Sequence, residues 1–242
     1  MITAFNSLVT IAARSMRSAI LFSILAVAPA HADPVYVELY TSQGCSSCPP
    51  ADKILGSLAQ RDDVIAVAFH VDYWDYIGWK DSFGKADHSA RQRSIARARG
   101  ERRVYTPQMM INGATDVIGN RAMAVSNAIA NAARQAPVLN ITARKDGQTV
   151  HLQATPTADL PAGPIHVHIL NVTPTETVAI KRGENAGRNL RYHNIVRDFQ
   201  TVDRWSGQGA FSRKITLPHN ADSYAVFQID GVGRVLGAVK LN

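Results

Sequence analysis

The chain carries only two cysteines, Cys45 and Cys48, among its 242 residues. A single pair excludes a scaffold stapled by several disulfides and lacks the second ligand pair of a structural zinc site. Beyond residue 32, no apolar run approaches the roughly 20 residues needed to cross a bilayer as a helix. Internal repeats and low-complexity tracts are missing as well. The run GENAGRN, residues 183–189, has neither the lysine nor the spacing of a phosphate-binding loop. No Ser-His-Asp arrangement can be read from spacing alone.

What the chain does have begins at its start. Arg14 and Arg17 precede the apolar run SAILFSILAVAPA, and Ala30-His31-Ala32 follows it. Basic, then apolar, then small is the order of a secretory signal peptide. Residues 1–32 are therefore expected to be cleaved, leaving a mature chain that begins near Asp33, is exported to a periplasmic or secreted location, and has no stable membrane span. In such an oxidising space two lone thiols do not stay reduced unless something keeps them so. The formal net charge is +7, and much of the excess sits in Arg91, Arg93, Arg97, Arg99, Arg102 and Arg103. A solvated helix face or a surface for an anionic partner both account for that run. No nucleic-acid partner is expected of an exported protein.

Composition changes near residue 137. Before it, VYVELY (35–40) and the continuous apolar run VIAVAFHV (64–71) predict strands, the second buried on both faces. Helical spacing is predicted for residues 51–60, 84–99 and 121–134, with a short strand at 108–113. After Ala136-Pro137 the periods shorten, and Asp146-Gly147 is a strong two-residue hairpin turn. The expected fold class is an α/β domain over 33–136 followed by a small antiparallel β-sandwich over 137–242.

Cys45-Ser46-Ser47-Cys48 lies directly after a predicted strand and before a predicted helix. Pro49 and Pro50 suit a first helical turn, where amide hydrogens lack intrahelical acceptors. Cys45 thus falls at or just ahead of a helix N-terminus, where free amides and the helix dipole favour a thiolate. Asp52 falls in the first turn or just beyond. A second cysteine three residues on can resolve a mixed disulfide. About sixty residues later Thr106-Pro107 precedes the strand QMMI, a setting that makes a cis peptide the expectation. The backbone beside it would be free to pair with an extended substrate.

The segment from Val35 to about Arg134 resembles the thioredoxin-like fold in its order of strand, C-x-x-C, helix, strand, helix, Thr-Pro, strand, strand, helix. More narrowly, VELYTSQGCSSCPPAD, AFHVDYWDYIGW and VYTPQMMING resemble an exported thioredoxin-like family of unknown function, DUF1223, and GENAGRNLRYHNIVRDF fits as well. The resemblance implies that Cys45 is the nucleophile, Cys48 the resolving cysteine and Pro107 the cis-proline beside the substrate. Glu38 would take the place of a buried acid that accepts a proton, or it is an outward-facing strand residue. Ser46-Ser47 stands where thioredoxin has Gly-Pro, and Gln43-Gly44 lengthens the lead-in, so the direction of electron flow stays open.

Between His70 and Trp79 four aromatics fall within seven residues. Trp74 and Trp79 either line a substrate groove beside Cys45 or seal the crevice between the two expected domains. Cys45, Cys48 and His70 could instead hold copper, with His193 a more distant ligand; His166 and His168 read as structural. The leading expectation is an exported thiol–disulfide oxidoreductase, with no cofactor beyond its redox-active Cys45–Cys48 disulfide and a thiol- or disulfide-bearing protein as partner. A copper-binding protein of metallochaperone type is the alternative, and a redox-inert binding module is another.

Overall fold

A computed structural model describes residue 1 and residues 33–218, 222–229, 231 and 233–241. The signal-peptide reading rests on residues 2–32, which lie outside the described residues. The chain begins with β1 (Val35–Thr41), α1 (Pro49–Leu58), β2 (Val64–His70), a 3₁₀ turn (Asp75–Ile77) and α2 (Ala86–Ala98). Next come β3 (Gln108–Ile111), β4 (Thr115–Ile118) and α3 (Ala122–Ala133). The rest is strand: β5 (Leu139–Asp146), β6 (Thr149–Pro156), β7 (Ile165–Ala179), β8 (Asn189–Trp205), β9 (Phe211–Thr216), β10 (Asp222–Ile229) and β11 (Val235–Lys240).

The expected α/β thioredoxin-like domain followed by a small sandwich is not what forms. A single mixed sheet of eight strands runs in the order β11-β10-β7-β8-β2-β1-β3-β4, and β5-β6-β9 make a second sheet of three. The junction is the parallel contact of Ala68 in β2 with Ile195 in β8. β11 is stitched to the other half through Val235 N–H, which donates to the Asn112 carbonyl at 2.9 Å. Gly113 makes that approach possible, because a Cβ there would sit 1.7 Å from the Gly233 carbonyl oxygen. The departure from two separate domains arises at β7 and β8, which hold 15 and 17 residues. Their register shifts after Val167 and Asn171 break the alternation that marks a strand in sequence.

Strand alternation sorts the layers. Val37 and Leu39 of β1, with Ala66 and Ala68 of β2, face α1 and α3 through Ala51, Leu55, Val125 and Ile129. Tyr36, Tyr40, Val67 and Phe69 face the other way, toward Ile95 of α2. A further core of Leu152, Val167, Trp205, Phe211 and Phe227 fills the space around the three-stranded sheet. The Asp146-Gly147 turn forms as expected, with Asp146 opposite Thr149 and Gly147 at φ +60°. Among the described residues no helix is long and apolar enough to cross a membrane.

α1 also packs on β8. A Cβ on Gly56 would lie 2.6 Å from Cδ2 of His193. Gly56→Ala gains about 1 kcal/mol of helix propensity but loses about 1–3 kcal/mol to overpacking. A net loss in urea unfolding is therefore expected, reversing to a gain on a His193→Ala background. An unchanged sign in that background would contradict the contact.

Candidate functional site

Cys48 is the N-cap of α1, with Pro49 and Pro50 filling the first helical positions. Its backbone is already helical, and its carbonyl accepts from Ala51 N–H at 2.8 Å and Asp52 N–H at 3.0 Å. Cys45 and Cys48 form a disulfide across this turn. Both are buried, at 2% and 0% exposure, whereas Ser46 and Ser47 are exposed.

The turn is held from the far half of the chain. Asn185, fully buried between β7 and β8, donates through Nδ2 to the carbonyls of both Gln43 and Cys45 at 2.9 Å. Glu184 accepts from Ser46 N–H at 3.2 Å. The extra Gln43 is an anchor: Oε1 accepts from Trp79 Nε1 at 2.8 Å, Nε2 donates to Ser82 Oγ at 3.0 Å, and its N–H donates to Asp81 Oδ2 at 2.7 Å.

Beneath the turn, between α1 and the sheet, lies a buried polar layer. Asp52 is one helical turn beyond Cys48, so the two side chains share a face. Its Oδ1 accepts from Thr41 Oγ1 at 2.8 Å. Thr41 is paired in register with His70 on the neighbouring strand. His70 Nδ1 donates to Asp81 Oδ2 at 2.8 Å with both side chains at 0% exposure, and its ring meets those of Phe83 and Tyr192 edge-on at 5.1 and 4.9 Å. Asp52 Oδ2, His70 Nε2 and Tyr192 Oη have no hydrogen-bond partner among the described residues.

These surroundings push the two carboxyls apart. Burial raises Asp52 from the ordinary carboxyl value to about 7, against a pull downward from the His70 ring and the Thr41 hydroxyl. Burial alone would raise Asp81 too, but the His70 ring and the N–H groups of Gln43 and Phe83 outweigh it and hold that carboxyl low. Burial, reinforced by Asp52 and Asp81, keeps the Tyr192 phenol protonated. His88, whose Nδ1 donates to the His70 carbonyl at 2.9 Å, is driven down to about 4 by burial and stays neutral.

The Thr106–Pro107 peptide is cis. Trp74 Nε1 donates to Thr106 Oγ1 at 2.7 Å, and the Trp74 Cβ would lie 3.3 Å from a Cβ on Gly44, so this indole joins the cis-proline loop to the dicysteine turn. On the opposite side Gly119 N–H donates to the Pro107 carbonyl at 2.8 Å and Asn120 Nδ2 to the Ser47 carbonyl at 3.3 Å. The backbone N–H and C=O of Thr106 make no hydrogen bond among the described residues.

Of the residues singled out in sequence, Cys45, Cys48, Trp74, Thr106 and Pro107 thus share one site. Glu38 does not join them. It points to the α2 face, where Arg91 Nη2 donates to it at 2.6 Å and Tyr40 Oη at 3.2 Å. His70 is in the buried layer tied to Asp81, and no group of three or more His, Cys, Asp or Glu side chains among the described residues is placed to hold a metal ion. Sequence reasoning gave no role to Asp81, Asn185 or Tyr192. The spacing of Asp52 four residues after Cys48 was the readable signal.

Fold and site together define a class: mixed-sheet proteins that carry a disulfide-closed C-x-x-C at a helix start, faced by a cis-proline loop. Within it, this chain belongs to the family described as protein of unknown function, DUF1223, which matches residues 36–228. It is similar to a crystallised protein of Agrobacterium tumefaciens, with 30% identity and a TM-score of 0.73 over 86% of this chain and 93% of that one. It shares its fold with HBP35 of Porphyromonas gingivalis, at 14% identity and a TM-score of 0.63 over 86% of this chain and 74% of that one. No curated protein matches the chain.

Proposed function

We propose that the protein is an exported thiol–disulfide oxidoreductase whose working group is Cys45–Cys48 and whose partner is a polypeptide. The observation that carries this reading is the Cys45–Cys48 disulfide at the start of α1 with the Asp52 carboxyl buried one helical turn beyond Cys48 and one of its oxygens unpartnered among the described residues. A structural clip has no use for a raised acid beside it, whereas a resolving cysteine has to lose a proton.

In the reduced protein the Cys45 thiolate, favoured at the helix start, attacks one sulfur of a partner disulfide and expels the other as a thiolate. Cys48 then gives its thiol proton to the Asp52 carboxylate. The resulting thiolate attacks Cys45 Sγ, closing the Cys45–Cys48 bond and releasing the second partner sulfur. Run backwards, the same steps oxidise a partner dithiol.

Both sulfurs are buried, so a reactive encounter requires a partner that docks. Tyr76, stacked on Trp74, Ile118, next to Gly119, and Met123, in the first turn of α3, are exposed by 80%, 48% and 73%. They supply apolar surface close to the disulfide, as expected of a site for polypeptide.

Cys48→Ser should trap mixed disulfides through Cys45, visible as adducts on non-reducing gels and released by dithiothreitol. If reduced Cys45 titrates as an ordinary thiol and no dithiol–disulfide equilibrium with glutathione can be measured, the reading is wrong.

A further inference from the structure

Six arginines lie between residues 91 and 103, and the fold splits them into two groups. Arg91 is neutralised by Glu38, and Arg99 by Glu101 and Asp116 at 3.3 and 3.1 Å. Arg93, Arg97, Arg102 and Arg103 are exposed and make no ion pair among the described residues. These four line one cleft of about 240 Å³, together with Ala96, Val104 and the already engaged Glu101.

Along the chain the cleft lies next to the cis-proline loop. Its last residue, Val104, is two positions before Thr106, a distance of about 7 Å along extended chain. On its other side Arg93 lies over the Tyr73 ring at 5.5 Å, and Tyr73 adjoins Trp74, which binds Thr106. A polypeptide lying along Thr106 would therefore enter the cleft within two or three residues.

We propose that this cleft docks an acidic segment of the partner polypeptide, a few residues from the cysteine that exchanges with Cys45. The proposal rests on the oxidoreductase reading and adds the chemistry of its partner. Guanidinium groups match carboxylates in forked geometry, and four unpaired cations in a concave wall concentrate their field there. A bilayer surface is too flat to follow that wall, which favours peptide over anionic lipid.

The test uses fluorescein-labelled peptides with one cysteine flanked by aspartates, by glutamines or by lysines. Binding is followed by anisotropy on the folded Cys45→Ser/Cys48→Ser protein, and exchange is followed on the wild type with the same peptides as disulfides. The aspartate peptide should bind and react about tenfold better than the glutamine peptide, with the advantage lost at high salt. Two double variants, Arg93→Gln/Arg97→Gln and Arg102→Gln/Arg103→Gln, should each reduce that advantage and leave exchange with the glutamine peptide unchanged.

Equal binding of the aspartate and glutamine peptides overturns the proposal. So does arginine-dependent binding to phosphatidylglycerol vesicles without binding of the acidic peptide. Arginine-dependent binding of the acidic peptide with no exchange at Cys45 supports the docking site and removes the oxidoreductase reading. Exchange with no acidic preference does the reverse.

Discussion

Asp81→Ala is expected to destabilise the folded protein by about 3–5 kcal/mol, the usual cost of removing one partner from a fully buried charged network. Its carboxylate is at 0% exposure and accepts three hydrogen bonds, from His70 Nδ1, Gln43 N–H and Phe83 N–H. Truncation leaves three buried donors unanswered, each worth about 1–3 kcal/mol when orphaned. Asp81→Asn keeps one acceptor oxygen and should cost less. The folded Asp81 carboxyl lies below its ordinary value, so its contribution is present above the unfolded carboxyl pKa and is lost as pH falls through the folded one. Urea midpoints from pH 7 down into the acid range would show both effects. A loss under about 1 kcal/mol at neutral pH would mean that Asp81 does not anchor the layer.

Asp52→Asn should have the opposite effect on stability and a large one on rate. Folding raises the Asp52 carboxyl to about 7, so the folded state holds a proton that the unfolded state releases at lower pH. The associated stability is complete below the unfolded pKa of about 4 and is lost as pH rises to about 7. Above pH 7 the wild type carries a cost of at most about 4 kcal/mol that asparagine avoids. Asp52→Asn should therefore be more stable at pH 8 and nearly unchanged at pH 4. In exchange, Cys48 loses its proton acceptor, and the resolving step should slow by about 10²–10⁴-fold at neutral pH. Stopped-flow release of partner thiol from the mixed disulfide reads that step directly. An Asp52→Asn variant with wild-type resolution and wild-type pH stability would remove Asp52 from the mechanism.

Glu38 and Asp52 show what limited the reading of the site. Glu38 stands on the strand leading into the turn and looked suitable along the sequence. Its even-numbered neighbours Tyr36 and Tyr40 face α2, however, and strand alternation sends Glu38 with them. Asp52 reaches the α1 side because four residues after Cys48 is about one helical turn. Both facts follow from local periodicity once the element is known. Asn185 is different: it meets the Cys45 carbonyl across 140 residues, and nothing near either residue announces the other.

The division follows from the range of the forces. Sequence alone determined the helix start at the double proline, the Asp146-Gly147 hairpin and the cysteine spacing. Each of these is settled by backbone sterics or hydrogen bonds within a few neighbouring residues. Only the tertiary structure decided that β8 joins β2, that one sheet crosses both halves of the chain, and that Asn185 and Tyr192 close the site. Those choices depend on long-range strand pairing, whose register is selected by burial over the whole sheet and has no local signature.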